Sequence, residues 1–454
     1  KINNVKVDWK PVNDAVGFPL VEIRASPAAE YELAIEWSGA EMDSAGASVV
    51  YPAGGTVRFR THSASLKQVY DPQGALSTIR KNDKGFQAKA LSSSGFPTVF
   101  IQLRQGAFTW WAPLNLEIRD PVALLPAKHQ PADGVVFQLQ NNLHTPVQIE
   151  IQHPYSGKTL HPGVSLAPGA ISAPIALRSA DWTPGTISLK FLWQNGEEAI
   201  RNLTHWNLRP ISTGTWETVD LSPFFNDRVS QLFEHRYEFP RATYPTVQIP
   251  LQGVGNWCYP LVKPALSDQG LRALAGHEGK IATPLGVPFA TPGPGNTPNV
   301  LFTSRWDNFP DEAEIPLSGK ARQIYLLMAG TTNAMQSRLT NGNVTVGYAD
   351  GSMEVLPLVN PDTWHPIEQD YLRDGFAFDW ESPAPLRVHL KTGWMGFPGG
   401  PYTSIKGYSD RVIDGGAATV LDLPLNPNKE LKYLRVSAIA NEVVVGLLSA
   451  TLLR

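Results

Sequence analysis

The chain has 454 residues, with 38 lysines and arginines against 41 aspartates and glutamates and a formal net charge of -3. The cations are scattered rather than gathered into a basic face, which removes the case for a nucleic-acid partner. A single cysteine allows neither an intrachain disulfide nor a zinc site of paired cysteines, and no apolar run approaches the ~18 residues of a membrane span.

The length predicts two to four domains. Charged residues make up only 17%, while 38 glycines, 39 prolines and 13 tryptophans are present. Many turns with many flat apolar rings predict an all-β protein that meets a ligand with aromatic faces. A chain that opens on Lys1 reads as a processed or trimmed product, with no signal peptide visible. The lack of disulfides fits a periplasmic, extracellular or cell-surface protein of a bacterium, and it also fits the cytosol.

Residues 1–121 form a first block. In "TVRFRTH", Val57 and Phe59 alternate with Arg58 and Arg60, as in a half-buried strand. "FPTVFIQL" and "WWAPLNLEI" read as further strands, and Asp71 to Gly74 as a turn. So many short strands predict an immunoglobulin-like β-sandwich. Residues 122–210 predict a second, smaller one. There "VVFQLQNN" points Val135, Phe137 and Leu139 inward, and "VQIEIQ" does the same with Val147, Ile149 and Ile151. Asn195-Gly196 reads as a hairpin turn.

Residues 211–454 form the third block. Val229, Leu232, Phe233 and Tyr237 have helical spacing after Asn226 or Asp227 as a cap, which predicts one helix over 226–237. The remainder reads as strands and turns: a hairpin around Asp350-Gly351, and the closing strands of "YLRVSAIANEVVVGLLSATLL". The second closing strand is apolar on both faces and therefore central. The length and pattern predict one large jelly roll. The fold class is thus all-β: two immunoglobulin-like sandwiches followed by a large jelly roll.

Three patterns in the third block carry a family resemblance. "WETVDLSPFFND" looks like an opening strand and loop. "IPLSGKARQIYLLMAG" and "NVTVGYADGSMEVLPL" look like a central strand pair. "LDLPLNPNKELKYLRVSAIANEVVVGLLSATL" looks like the closing strands. In this order they resemble the galactose-binding-like jelly rolls attached to bacterial glycoside hydrolases and polysaccharide lyases. The three blocks together resemble the β-rich parts of such enzymes, whose catalytic domain is often an (α/α) barrel. No such helical domain is visible in this sequence. The resemblance implies an accessory, carbohydrate-binding role: binding a plant or bacterial polysaccharide, or docking a catalytic domain or subunit.

Candidate ligand residues fall in two segments. Trp306-Asp307-Asn308 offers a flat ring for pyranose C–H faces, with a carboxylate and an amide for hydroxyls. The same tripeptide also fits a sandwich corner, with Trp306 filling the core. Asp311, Glu312 and Glu314 read as a solvated strand edge. "NPDTWHPIEQDYLRDGFAFDWE" supplies Trp364, His365, Glu368, Asp370 and Tyr371. In an extended segment Glu368 and Asp370 share a face about 7 Å apart. Glycoside hydrolysis uses carboxylates roughly 5 to 10 Å apart. A catalytic reading would take Glu368 and Asp370 with His365, and Tyr237 with Arg236 to neutralise a uronate and move a proton. Binding, a structural calcium or a plain loop are the other readings of this segment. No cofactor is predicted. A purely structural spacer or assembly protein is the third class of function.

Overall fold

The computed structural model describes residues 1–3, 5–27, 30–36, 41–43, 49–91, 95–179, 181–193, 198–210, 214–237, 265–332, 338–369, 383–397, 403–405 and 411–454. Nearly all regular structure among them is β. Among residues 1–121, the long strand Phe108–Arg119 organises a five-stranded sheet. It pairs antiparallel with Thr98–Gln105 along its length, and parallel with Ala15–Val16 at one end and Val49–Pro52 at the other. Facing it is the three-stranded sheet Thr56–Arg60, Gly85–Ala90 and Leu76–Asn82. Val57, Phe86, Ile101 and Trp110 fill the space between them, while Arg58 and Arg60 are exposed as the alternation predicts.

The second unit repeats the principle. The sheet of Val122–Pro126, Gly134–Asn141 and Ile175–Arg178 packs on the four-stranded sheet of Thr159–Leu166, Val147–Gln152, Gly185–Trp193 and Glu198–His205. Val135, Phe137, Leu139, Ile149 and Ile151 are buried in its core. The expected Asn195-Gly196 turn lies outside the described residues.

The third unit has one seven-stranded and one four-stranded sheet. At the centre of the larger sheet, Val443–Leu453 pairs with Gln323–Thr332. Both strands bury both faces. Ile324, Leu326 and Met328 point into the core between the sheets, whereas Tyr325, Leu327 and Ala329 point into a second core on the outer face. That outer core is covered by the hairpin Lys280–Ala282 and Pro288–Ala290, by the helix Gln269–Ala275 and by the Trp306–Phe309 corner. A register shift lies between Leu327 and Met328, whose partners are Ser449 and Leu447, so Leu448 is the extra residue. It flips the parity of the strand: Val445 and Leu447 share the intersheet core with Ala450 and Leu452.

Two expectations are corrected here. The helix over 226–237 is reduced to a single 3-10 turn, Val229–Gln231, after Arg228 in extended conformation. The reason is polar: the Asn226 side chain bonds both the N–H and the C=O of Phe302, and Val229 N–H donates to Asn299 Oδ1. These bonds hold the backbone open, yet Val229 and Leu232 still enter the core that a helix would have served. "IPLSGKARQIYLLMAG" and "NVTVGYADGSMEVLPL" are not paired strands. Gln323–Thr332 lies in the seven-stranded sheet, and Thr340–Tyr348 lies in the four-stranded sheet beside Leu431–Ala438. The two closing strands likewise sit in opposite sheets. The hairpin at Asp350-Gly351 forms as expected, with Gly351 at φ +85° and Asp350 Oδ1 accepting from Ser352 N–H. Glu312–Pro316 is an edge strand with Glu312 and Glu314 exposed, the latter paired with Arg435 at 2.8 Å.

A buried polar lock joins the second unit to the third. Asp422 accepts from Thr186 N–H at 2.8 Å, Thr186 Oγ1 at 3.0 Å and Gln323 Nε2 at 2.6 Å. Beside it, Tyr325 Oη donates to Pro184 O and Thr183 Oγ1 donates to Gln323 Oε1. Gly185 lies at φ +114°, and a Cβ there would stand 2.7 Å from Asp422 Cγ, so the approach requires glycine. Burial outweighs these hydrogen bonds and raises the Asp422 carboxyl from 3.8 to about 6. The folded form therefore binds its proton more tightly than the unfolded chain does. The stabilisation is complete below pH 3.8 and is lost as pH rises through about 6, on the order of 3 kcal/mol in all. Asp422→Asn can donate to Thr186 Oγ1 while accepting from the other two donors. Thermal melts from pH 4 to 7 should show a flatter stability profile for it than for wild type. Asp422→Ala, which strands the Thr186 and Gln323 donors, should lose about 1–3 kcal/mol per orphaned group throughout.

Candidate functional site

The described structure gathers two of the sequence-predicted segments at one corner of the third unit. Ser304 shapes the turn: its N–H donates to Pro310 O, and its hydroxyl accepts from Trp306 N–H. The turn throws Trp306 and Phe309 inward. Trp306 is only 5% exposed and belongs to the outer core, so it supports the corner from beneath instead of offering a stacking face. Tyr237 packs edge-on against Trp306 at 5.8 Å, and His235 stands against Tyr237 at 6.1 Å and Phe309 at 5.8 Å. Asn308 Nδ2 donates to Arg236 O at 3.2 Å, which ties the two segments together.

Around this aromatic floor stand the exposed side chains of His235, Arg236, Asp307 and Asn308. His235 Nε2 lies 2.5 Å from Asp227 Oδ2. A carboxylate only accepts, so Nε2 carries a proton and donates to Asp227. The rim thus combines a carboxylate, an amide, a guanidinium and an oriented imidazole, a set able to give and take hydrogen bonds with vicinal hydroxyls. Tyr237 contributes an apolar edge but no proton chemistry. Its hydroxyl donates to Leu232 O at 2.8 Å, and burial together with the Asp227 charge raises its pKa far above the ordinary phenol value.

The described residues 364–369 of the second segment are buried. Trp364 is 1% exposed and donates from Nε1 to Asn341 Oδ1, so it too is core. His365 and Glu368 are each 2% exposed. The chain here is laced into the sheet, with Ile367 N–H donating to Gly330 O and Ala417 N–H donating to Ile367 O. Buried Arg387 clamps it, donating from Nη2 to Pro366 O at 2.8 Å and from Nη1 to Thr419 Oγ1 at 2.5 Å. Glu368 Oε1 accepts from Thr331 Oγ1 at 2.7 Å, and Oε2 has no hydrogen-bond partner among the described residues. Burial raises this carboxyl from 4.5 to about 7, against the opposing pull of Thr331 and the Arg387 charge. Asp370 and Tyr371 lie outside the described residues. Among the described residues no group of three or more His, Cys, Asp or Glu side chains could hold a metal ion.

Hydrogen bonds and ring contacts therefore tie Trp306–Asn308 to His235–Tyr237, whereas Trp364–Glu368 is tied to Thr331, Asn341 and Arg387. Thr331 and Arg387 belong to none of the motifs read in the sequence, and Asp227, expected there as a helix cap, instead holds His235. The one signal present was Arg387 inside the apolar run "PLRVHL", where a lone cation needs buried acceptors.

No protein-family model and no curated protein matches this chain. Solved structures similar to it include SGBP-B of the Bacteroides ovatus mixed-linkage glucan utilization locus, in complex with a mixed-linkage heptasaccharide. That match has 10% identity, covers 89% of this chain and 72% of that one, and has a TM-score of 0.16. The surface glycan-binding protein PbSGBP-B from Prevotella bryantii is 11% identical over 89% of this chain and 94% of that one, also with a TM-score of 0.16.

Two measurements follow from the burial. Trp306→Ala and Trp364→Ala should each cost about 3–5 kcal/mol in chemical denaturation, as core truncations do. Glu368→Gln should remove a pH-dependent term. The wild-type carboxyl contributes fully below pH 4.5 and loses that contribution as pH rises through about 7, so the variant should gain relative stability at pH 8.

Proposed function

We propose that this chain is a non-catalytic, carbohydrate-binding component of a bacterial polysaccharide-degrading system, acting in the periplasm or at the cell surface. Its ligand is a glycan, held at the rim of His235, Arg236, Asp307 and Asn308, and its third unit is a galactose-binding-like jelly roll. Docking of a catalytic domain or subunit is the companion role. The observation that supports this reading is the meeting of Asn308 and Arg236 over the Tyr237–Trp306–Phe309 floor. It gathers varied hydrogen-bonding groups on an exposed surface.

A glycoside hydrolase or lyase is the second reading. Its support is the Glu368 carboxyl, raised to about 7 and so matched to general-acid work near neutrality. Against it stand the closure of Glu368 from solvent and the engagement of Tyr237.

Affinity electrophoresis in gels of neutral and acidic polysaccharides separates them. Asp307→Ala with Asn308→Ala should abolish the retardation of the wild-type chain on the gels that retard it. Retardation unchanged by these substitutions and by Arg236→Ala would place the glycan elsewhere. Sustained release of reducing ends or unsaturated products, lost in Glu368→Gln, would replace the binding reading with the catalytic one.

A further inference from the structure

We propose a second carbohydrate site, for a short neutral oligosaccharide, in the cleft between the first and second units. The cleft has a volume of about 800 Å³ and is walled by the Pro52–Gly55 turn on one side and by the Leu143–Gln148 loop, Trp193 and Arg201 on the other. That size is within the range of built ligand pockets.

The walls are fixed relative to each other. Ala53 N–H donates to Arg119 O at 2.6 Å, Asn142 N–H donates to Pro121 O at 2.9 Å, and Asn142 Nδ2 donates to Asp120 O at 2.8 Å. Arg201 Nη2 stands 3.6 Å from Asp120 Oδ1, across the boundary between the units. The site is therefore preorganised, which lowers the entropic cost of binding.

Its chemistry selects the ligand. Trp193 ends the strand Gly185–Trp193 half-buried, with one part packed on the core and the rest lining the cleft. Such a ring suits the C–H face of a pyranose. Beside it Gln148 and Thr145 present an exposed amide and hydroxyl. Arg201 spends Nη1 on Ile200 O, while its buried Nε has no hydrogen-bond partner among the described residues. The charges nearly cancel, since Asp120 faces Arg201 and Glu198 pairs with Lys190 at 2.5 Å. A phosphate or uronate would find Arg201, the one lining cation among the described residues, already matched by a carboxylate. A lipid tail would have to desolvate these charges. A neutral, polyhydroxylated chain meets none of these costs.

The inference shares only its ligand class with the proposed function; the two surfaces have no residue in common. Calorimetric titration of the full chain with cellohexaose, mannohexaose, xylohexaose and hexagalacturonate tests it. At least one neutral hexaose should bind, and Trp193→Ala and the exposed Gln148→Ala should each weaken it tenfold or more, with Asn308→Ala leaving that loss intact. Wild-type affinity in both Trp193→Ala and Gln148→Ala overturns the cleft. If binding is then lost only in Asn308→Ala, the rim reading stands without it. Failure of every neutral hexaose to bind overturns the cleft, and preference for hexagalacturonate overturns the ligand class.

Discussion

The third unit depends on one constraint: the paired strands Gln323–Thr332 and Val443–Leu453 have no side facing water. A strand apolar on both faces must be covered twice. The four-stranded sheet covers one side, and the irregular layer that contains the helix, the small hairpin and the Trp306–Phe309 corner covers the other. The position of the candidate glycan surface is a by-product of this demand. Trp306 and Phe309 are drawn inward to complete the outer core, and the polar residues next to them in sequence are left standing on its rim.

The same burial explains why the two carboxylate-bearing segments differ. At the corner, Asp227 and Asp307 stay near solvent and can orient or accept. At Glu368 the chain is laced between Gln323–Thr332 and Ala417–Pro424 of the large sheet, with a buried guanidinium against it, and burial raises the carboxyl. A perturbed carboxylate marks a functional site only where a reactant can reach it. The exposed corner has the better access.

Side-chain alternation made the strands legible. Val57 with Phe59, Val135 with Phe137, and Glu312 with Glu314 all lie on the faces their spacing predicts. Alternation says which side is wet but not which strand lies alongside, so the sheet partners of Gln323–Thr332 were hidden. It also cannot register an inserted residue such as Leu448, after which inside and outside exchange. The spacing of Val229, Leu232 and Tyr237 correctly marked one buried face. The backbone that presents it was set by Asn226 and Asn299, through partners some seventy residues distant in sequence. In the site, residue type named the corner, but composition gives a tryptophan no direction, and the rings of Trp306 and Trp364 turned inward. The cleft beside Trp193 arises from two units meeting, which no local pattern records.

The contact of Gly185 with Asp422 bears on how the polypeptide can be divided. Severing it near residue 210, where the sequence invites a cut, would bare Tyr325, Gln323 and Asp422 on the larger fragment and leave Thr183 and Thr186 of the smaller one without their acceptors. The second and third units are thus joined by a buried seam as well as by the chain that runs between them. Tension applied through the second unit would reach the large sheet by way of this seam as well as through the connecting chain.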